Sequence, residues 1–394
     1  MKNKKIFALA VITLSIKNVY AEKSPDQVVN ESWGPVCAGA KMDSQLATWC
    51  KDYPIVPGET IGLFNASTSS GVGNSTVYSD RLMNQSLEKR QQDLSTKKGG
   101  GAGDILSFER LGFYATGKSA EDERKSTTLE SGYESEMKGF TVGADYFFSD
   151  NLVAGLAVDY MNTELDFDNK NNATAQNGTS DFETVSVIAY SNYRWNKNLS
   201  IDGYLGWGGV DYDILRPISC TGINSIASGH TTADKILAGM TVNYSMYVEG
   251  FSVTPSIKAD YSGTFIDSFR ETGGQGYDFD YQDQEVHSFK TNLGFDVAYN
   301  VSVPWGVLIP RVKAGYIHEF LYHQRTIKAS FVDDASSYTL KFDTDKPDRD
   351  YFIVGGGVSS VLTHNVQMYV DYERIEGHRY LNSYVVTGGV RLAF

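Results

Sequence analysis

From about residue 106 to Phe394 the chain alternates with a period of two, and no other feature limits its fold so strongly. Phe140, Val142, Ala144, Tyr146 and Phe148 alternate with Thr141, Gly143, Asp145 and Phe147. Phe289, Leu293, Phe295, Val297 and Tyr299 alternate with Lys290, Asn292, Gly294, Asp296 and Ala298. Val366, Met368, Val370 and Tyr372 do the same against Gln367, Tyr369, Asp371 and Glu373, as does the run from Ser383 to Phe394. Successive side chains of a strand point to opposite faces, so each segment has one apolar face and one polar or small face. The 25 Tyr, 20 Phe and 38 Gly against only nine Pro suit a strand-rich chain. A hydrophobic fraction of 41% excludes a polytopic helical membrane protein.

Alternation fits a soluble sandwich as well as a membrane barrel, and the connections decide between them. Short turns at Ser149-Asp150-Asn151, Trp195-Asn196-Lys197-Asn198, Val248-Glu249-Gly250, Val303-Pro304-Trp305-Gly306 and Thr363-His364-Asn365 alternate with long polar connections at 118–135, 168–181, 217–231, 272–284, 332–349 and 375–382. That sorting belongs to an outer-membrane barrel, with periplasmic turns at one end and external loops at the other. The strand segments lie near 107–117, 137–148, 152–167, 182–195, 199–215, 232–247, 251–271, 285–302, 307–331, 350–362, 366–374 and 383–394. The expected fold is all-β: a transmembrane antiparallel up-and-down barrel of about twelve strands, an even number that brings both ends to the periplasm. Closure is required because lipid cannot satisfy an unpaired backbone edge.

The residues before the barrel set the address. Lys2, Lys4 and Lys5 precede an apolar stretch from Ile6 to Ile16, and Val19-Tyr20-Ala21 offers small residues for cleavage after Ala21, so residues 1–21 are expected to be a signal peptide. An exported chain meets an oxidising compartment, and Cys37 and Cys50 are expected to form a disulfide in a short, partly irregular segment covering 22–75. Cys220 falls in a predicted loop. Over 76–97, with Ser79 or Asp80 as the cap, Leu82, Met83, Ser86, Leu87, Arg90 and Leu94 recur at helical spacing. Gly99-Gly100-Gly101-Ala102-Gly103 ends this unit, so the barrel domain is taken as 104–394. A helix with so weak an apolar face needs a partner protein or a polar tunnel.

An exported segment, a helix, a glycine joint and a strand array ending in Phe394 together resemble the translocator domain of the autotransporter family. Gly139 to Tyr146 followed by Phe148 to Leu156, the hairpin strand Val366 to Glu373 and the terminal Gly388 to Phe394 are the similar stretches, within about 76–394. The resemblance implies that the helix sits in the pore and tethers a passenger, and that the terminal Phe394 is read by the barrel-assembly machinery. It further implies periplasmic chaperones as partners, outer-membrane lipid as the surroundings, and a monomer. Family passengers are usually long β-helices, whereas residues 22–75 are few.

Asp145, Asp159, Lys258, Asp260, Lys290, Asp296, Arg311, Lys313, Asp371, Glu373 and Arg391 fall on the inward face, where charge belongs because lipid-facing charge costs a few kcal/mol near the midplane. They are expected either to hold the helix through Arg81, Arg90 or Lys97, or simply to wet the lumen. Some family members cut their own linker, a role for which Asn84 with Asp260 or Asp371 would be the candidates. Gly103-Asp104-Ile105-Leu106 lacks the serine of a GDSL hydrolase, and the six His show no paired metal-ligand spacing. No catalytic constellation, cofactor or metal site is expected. The net charge of −13, without a basic patch beyond the N-terminus, argues against nucleic acid. Two functions compete: delivery of an N-terminal segment to the cell surface, or an adhesin-like barrel whose loops, such as Tyr277-Asp278-Phe279-Asp280-Tyr281, bind a host surface or a cation. A porin would need the lumen open.

Overall fold

The computed structural model describes residues 22–52, 62–63, 68–96, 110–168, 178–220, 223–321, 323–362 and 366–393. Ala21, Lys97, the glycine joint, the 103–106 stretch and Phe394 lie outside the described residues, as does the turn at 363–365. Twelve strands make the wall: β1 (Leu111–Arg124), β2 (Tyr133–Phe147), β3 (Leu152–Phe167), β4 (Thr179–Arg194), β5 (Leu199–Cys220), β6 (Ile223–Tyr244), β7 (Phe251–Ile266), β8 (Gln284–Tyr299), β9 (Gly306–Glu319), β10 (Asp350–Leu362), β11 (Val366–Glu376) and β12 (Leu381–Ala393). Each pairs antiparallel with the next, and β12 closes on β1 in a ladder running from Leu381↔Arg124 to Ala393↔Gly112. The barrel is closed, and no strand edge faces lipid.

The apolar faces point outward and stay bare. Leu205, Trp207, Ile257, Leu293, Val312 and Val370 are all exposed on the outer wall. Such a band is a lipid contact. Tyr193, Trp195, Phe251, Tyr299 and Trp305 ring it at the turn end, and Phe140, Phe289, Phe320, Phe352 and Tyr384 at the loop end. No helix among the described residues is long and apolar enough to cross a membrane; the crossing is by strands.

Several boundaries differ from expectation. The 217–231 loop is a continuation of the ladder, in which β5 and β6 pair to the tip at Cys220↔Ile223. Above the lipid nothing forces an apolar outward face, so the alternation fades while the hydrogen-bonded ladder continues. The segments expected at 251–271 and 307–331 each break. Phe269–Arg270 and Thr326–Phe331 leave the wall and join Phe279–Tyr281 and Leu340–Asp343 in a separate four-stranded antiparallel sheet over the loop-end mouth.

Among the described residues, three helices precede the barrel. The 22–75 segment contains α1 (Pro25–Gly39) and α2 (Gln45–Asp52), joined by the Cys37–Cys50 disulfide. A capping box starts α1: the Gln27 backbone N–H donates to the Ser24 hydroxyl at 3.3 Å, and the Ser24 backbone N–H donates to the Gln27 side chain at 2.9 Å. The long helix α3 (Thr68–Thr96) begins eight residues before the expected start at 76, so Ser79 and Asp80 lie inside it and cap nothing. The structure has two main apolar clusters. One fills the loop-end mouth with Val29, Trp33, Val36 and Leu46 against wall residues such as Phe182 and Tyr212 and loop-sheet residues such as Phe279 and Phe331. The other packs Met83 and Leu87 of α3 against Tyr114, Val153, Ile188 and Leu237 deep in the lumen.

Candidate functional site

The lumen is largely polar because every second wall residue faces it, and apart from Leu82, Met83 and Leu87 the buried α3 residues are mostly polar to match that wall. Ser75, Thr76, Ser79, Asp80, Gln85, Ser86, Lys89, Arg90 and Gln91 are all buried. Near the loop end Thr76 Oγ1 lies 2.8 Å from the Tyr212 hydroxyl of β5. Near the turn end Gln91 donates to the Gly203 carbonyl at 3.3 Å. The helix therefore runs along the barrel axis, with its N-terminal end toward the loops.

Among the described residues, four ion pairs fix it to the wall. Asp80 pairs with Lys235 of β6. Arg81 Nε donates to Glu373 of β11 at 2.8 Å, and Lys313 pairs with the same carboxylate. Lys258 of β7 donates to Glu88 at 2.5 Å and lies 3.1 Å from Asp260. Arg90 forms a two-pronged pair with Asp145 of β2, and both side chains are almost completely buried. The Tyr190 hydroxyl donates to the same carboxylate at 2.9 Å. Arg81 and Arg90 are nine residues apart, about two and a half turns, and reach strands β11 and β2 respectively. Lys89 adds a bond to Ser359 at 2.8 Å and stands over the Tyr369 ring.

The expected lumen charges thus divide by role. Asp145, Lys258 and Glu373 touch α3, while Asp260 and Lys313 support two of them. Arg311 bridges Asp371 at 2.6 Å and Asp296 at 3.8 Å within the wall. Asp159 accepts from Lys118 and from Thr141. Lys290 and Arg391 line a cavity of about 510 Å³ between α3 and strands β5–β12. Asn84 lines it too, and its Oδ1 has no hydrogen-bond partner among the described residues. Lys118, Lys235, Asp80 and Glu88 were not among the expected lumen charges. Lys118 was legible as an inward position once its strand was extended, and Lys235 already lay within its expected strand, 232–247. Asp80 was masked by its resemblance to a cap.

Of the loop residues offered as adhesin ligands, the three aromatic ones are not available. Tyr277, Phe279 and Tyr281 are 0%, 0% and 1% exposed, because their rings form the mouth core. Beside them Arg216 donates to Glu271 at 2.5 and 2.8 Å with both groups buried, and its guanidinium lies 4.2 Å from the Phe279 ring. In the turn after β11, burial pushes the His378 imidazole down to about 4, and its Nδ1 accepts from the Tyr380 and Leu381 amides. His287 and His318 sit at the wall's loop end beside Glu285 and Asp350. His230, Asp211 and Asp213 cluster on the exposed face.

A closed strand wall around a tethered, axis-aligned helix is one part of the comparison with known proteins, and sequence is the other. The family description "Autotransporter beta-domain" matches residues 113–373. The chain belongs to the autotransporter β-domain family. Outer membrane protein A of Rickettsia conorii is 25% identical to this autotransporter over 332 residues, covering 80% of this chain and 16% of the relative. The chain therefore spans about a sixth of that protein's length. Esterase EstA of Pseudomonas aeruginosa is 23% identical over 262 residues, covering 64% of this chain and 36% of EstA. Among solved structures, the translocator domain of autotransporter NalP from Neisseria meningitidis is 14% identical, with a TM-score of 0.61 over 84% of this chain and 99% of that one. This autotransporter barrel lies in the bacterial outer membrane, its turn end periplasmic and its loop end external. The translocator domain is non-enzymatic. An adhesin reading is not favoured.

Proposed function

We propose that this autotransporter unit carries the chain preceding α3 through its own lumen and displays it at the outer face. The carrying observation is the direction of α3, which enters beside β1 at the periplasmic end and points its N-terminal end outward. Residues 62–63 then pair with Ser219 and Cys220 at the external tip of β5, and α1 and α2 lie over the external mouth. On this reading the four ion pairs hold α3 as the last segment left inside. The signal peptide is removed after Ala21, the disulfide between Cys37 and Cys50 staples the displayed hairpin, and Phe394 is the residue read by the barrel-assembly machinery after delivery by periplasmic chaperones. The barrel works as a monomer surrounded by outer-membrane lipid.

An epitope tag placed directly after Ala21 tests the proposal. Antibody binding to intact cells is the expected result. Binding only after the outer membrane is broken would leave the segment in the periplasm and refute it.

A further inference from the structure

The cavity beside α3 is continuous with the periplasmic rim, where Tyr247, Asn300 and Gln367 line it, and climbs to the level of Ser262, Ser288 and Tyr351. There the wall changes character. A few residues further out the inward positions of β7 and β8 are Ile266 and Val286, both in the mouth core with Phe279, Ile327, Phe331 and Phe342. A close-packed apolar layer at the end of a wet column blocks ions and water, as a hydrophobic constriction does in a channel.

The exported hairpin completes that layer. Trp33, Val36 and Leu46 are each 0% exposed. The Tyr277 ring stacks with Trp33 at 5.9 Å and with Trp49 at 6.0 Å, one indole from each helix. Backbone bonds add to the docking: Lys41 N–H to the Asp333 carbonyl at 2.8 Å and Ala335 N–H to the Gly39 carbonyl at 2.7 Å. The Trp49 indole N–H donates to the Gln275 carbonyl at 2.8 Å. Gly276 has φ +92°, and a Cβ there would meet Gln45 and the Leu46 amide within 3 Å, so the loop is shaped for close approach of α2.

We infer that α1 and α2 are the cork of this barrel: the exported hairpin folds back onto the external loop sheet and seals the mouth behind it. This inference rests on the export reading above. The occupant of the loop sheet is the chain's own hairpin, and the disulfide keeps Trp33 and Trp49 on one rigid unit. The sealed state must form after passage, because the same apolar layer obstructs the route outward.

The test uses the full chain and the variant Trp33→Asp, with Leu46→Asp as a second, each checked for a folded barrel by heat-modifiable migration. Potassium flux through the purified protein in liposomes is measured alongside trypsin cleavage at Lys41 and Lys51 on intact cells. The seal predicts a tight wild type, flux at least tenfold higher in both variants, and variant hairpins cleaved on intact cells. Flux as low as wild type with the variant hairpin cleaved would overturn the seal and leave export standing, and so would a freely conducting wild type. Cleavage at Lys41 and Lys51 only in broken cells would overturn export itself.

Discussion

Tyr204 lies across Gly239 of the neighbouring strand, and the absence of a side chain there is what lets the ring reach the lumen. A Cβ on Gly239 would stand 2.2 Å from the ring and 2.7 Å from Asp260. The ring cannot move freely, because its hydroxyl donates to Asp260 at 2.7 Å, and Asp260 stands beside Lys258. One methyl group would therefore disturb a helix anchor two residues removed. Gly239→Ala should lose about 1–3 kcal/mol, the usual cost of overpacking. Gly209 also lies in a strand, yet a Cβ there meets nothing within 4 Å. Gly209→Ala should be neutral or gain about 0.5–1 kcal/mol by removing glycine's excess backbone freedom. Urea unfolding of the two variants in liposomes checks the contrast, and equal losses would refute it.

At the scale of elements, α3 is held by charges that are costly to leave unpaired. Asp145→Asn keeps the shape of the site but strands the buried Arg90 guanidinium, at a cost of about 3–5 kcal/mol. The expected outcome is faster amide hydrogen exchange over residues 82–91 without loss of the barrel. Replacing both Arg90 and Asp145 by Leu should cost less than Asp145→Asn alone. The strands of the wall were legible because lipid on one side and water on the other write a two-residue period into the sequence. Beyond the lipid that pressure ends, which is why the tips of β5 and β6 read as a loop. The first two turns of α3, Thr68 to Ser75, are small and glycine-containing residues that only a surrounding wall makes helical. For α1 the capping box around Ser24 was a usable sign, obscured by Pro35 inside the helix. Inward charges were readable from alternation alone, but which of them meet α3 depends on barrel register and helix rotation. Neither is encoded locally.

The molecule as a whole joins a closed ladder to a small helical cap, two units stabilised by different means. The barrel has no edge to fray, whereas the cap relies on an apolar interface, a few hydrogen bonds and one disulfide. A cross-link closing a loop of that size contributes about 3 kcal/mol. Denaturant should therefore detach the cap before it opens the barrel. Proteolysis at Lys41 and Lys51 should reveal the first transition and heat-modifiable migration the second, with reductant lowering only the first midpoint. A single coincident transition would contradict this picture.

External loops of a barrel are ordinarily independent of one another, and sequence can drift in each without regard to the rest. Here they are not independent. Phe279–Tyr281 from one loop is hydrogen-bonded to Thr326–Phe331 from another, and Gly39 of the exported segment bonds to Ala335. A change in any one of these surfaces has to be matched in the others, so neighbouring substitutions couple instead of adding. The face this protein turns to its surroundings can then vary only as a set, and selection for novelty at one loop is restrained by the fit of the remaining two.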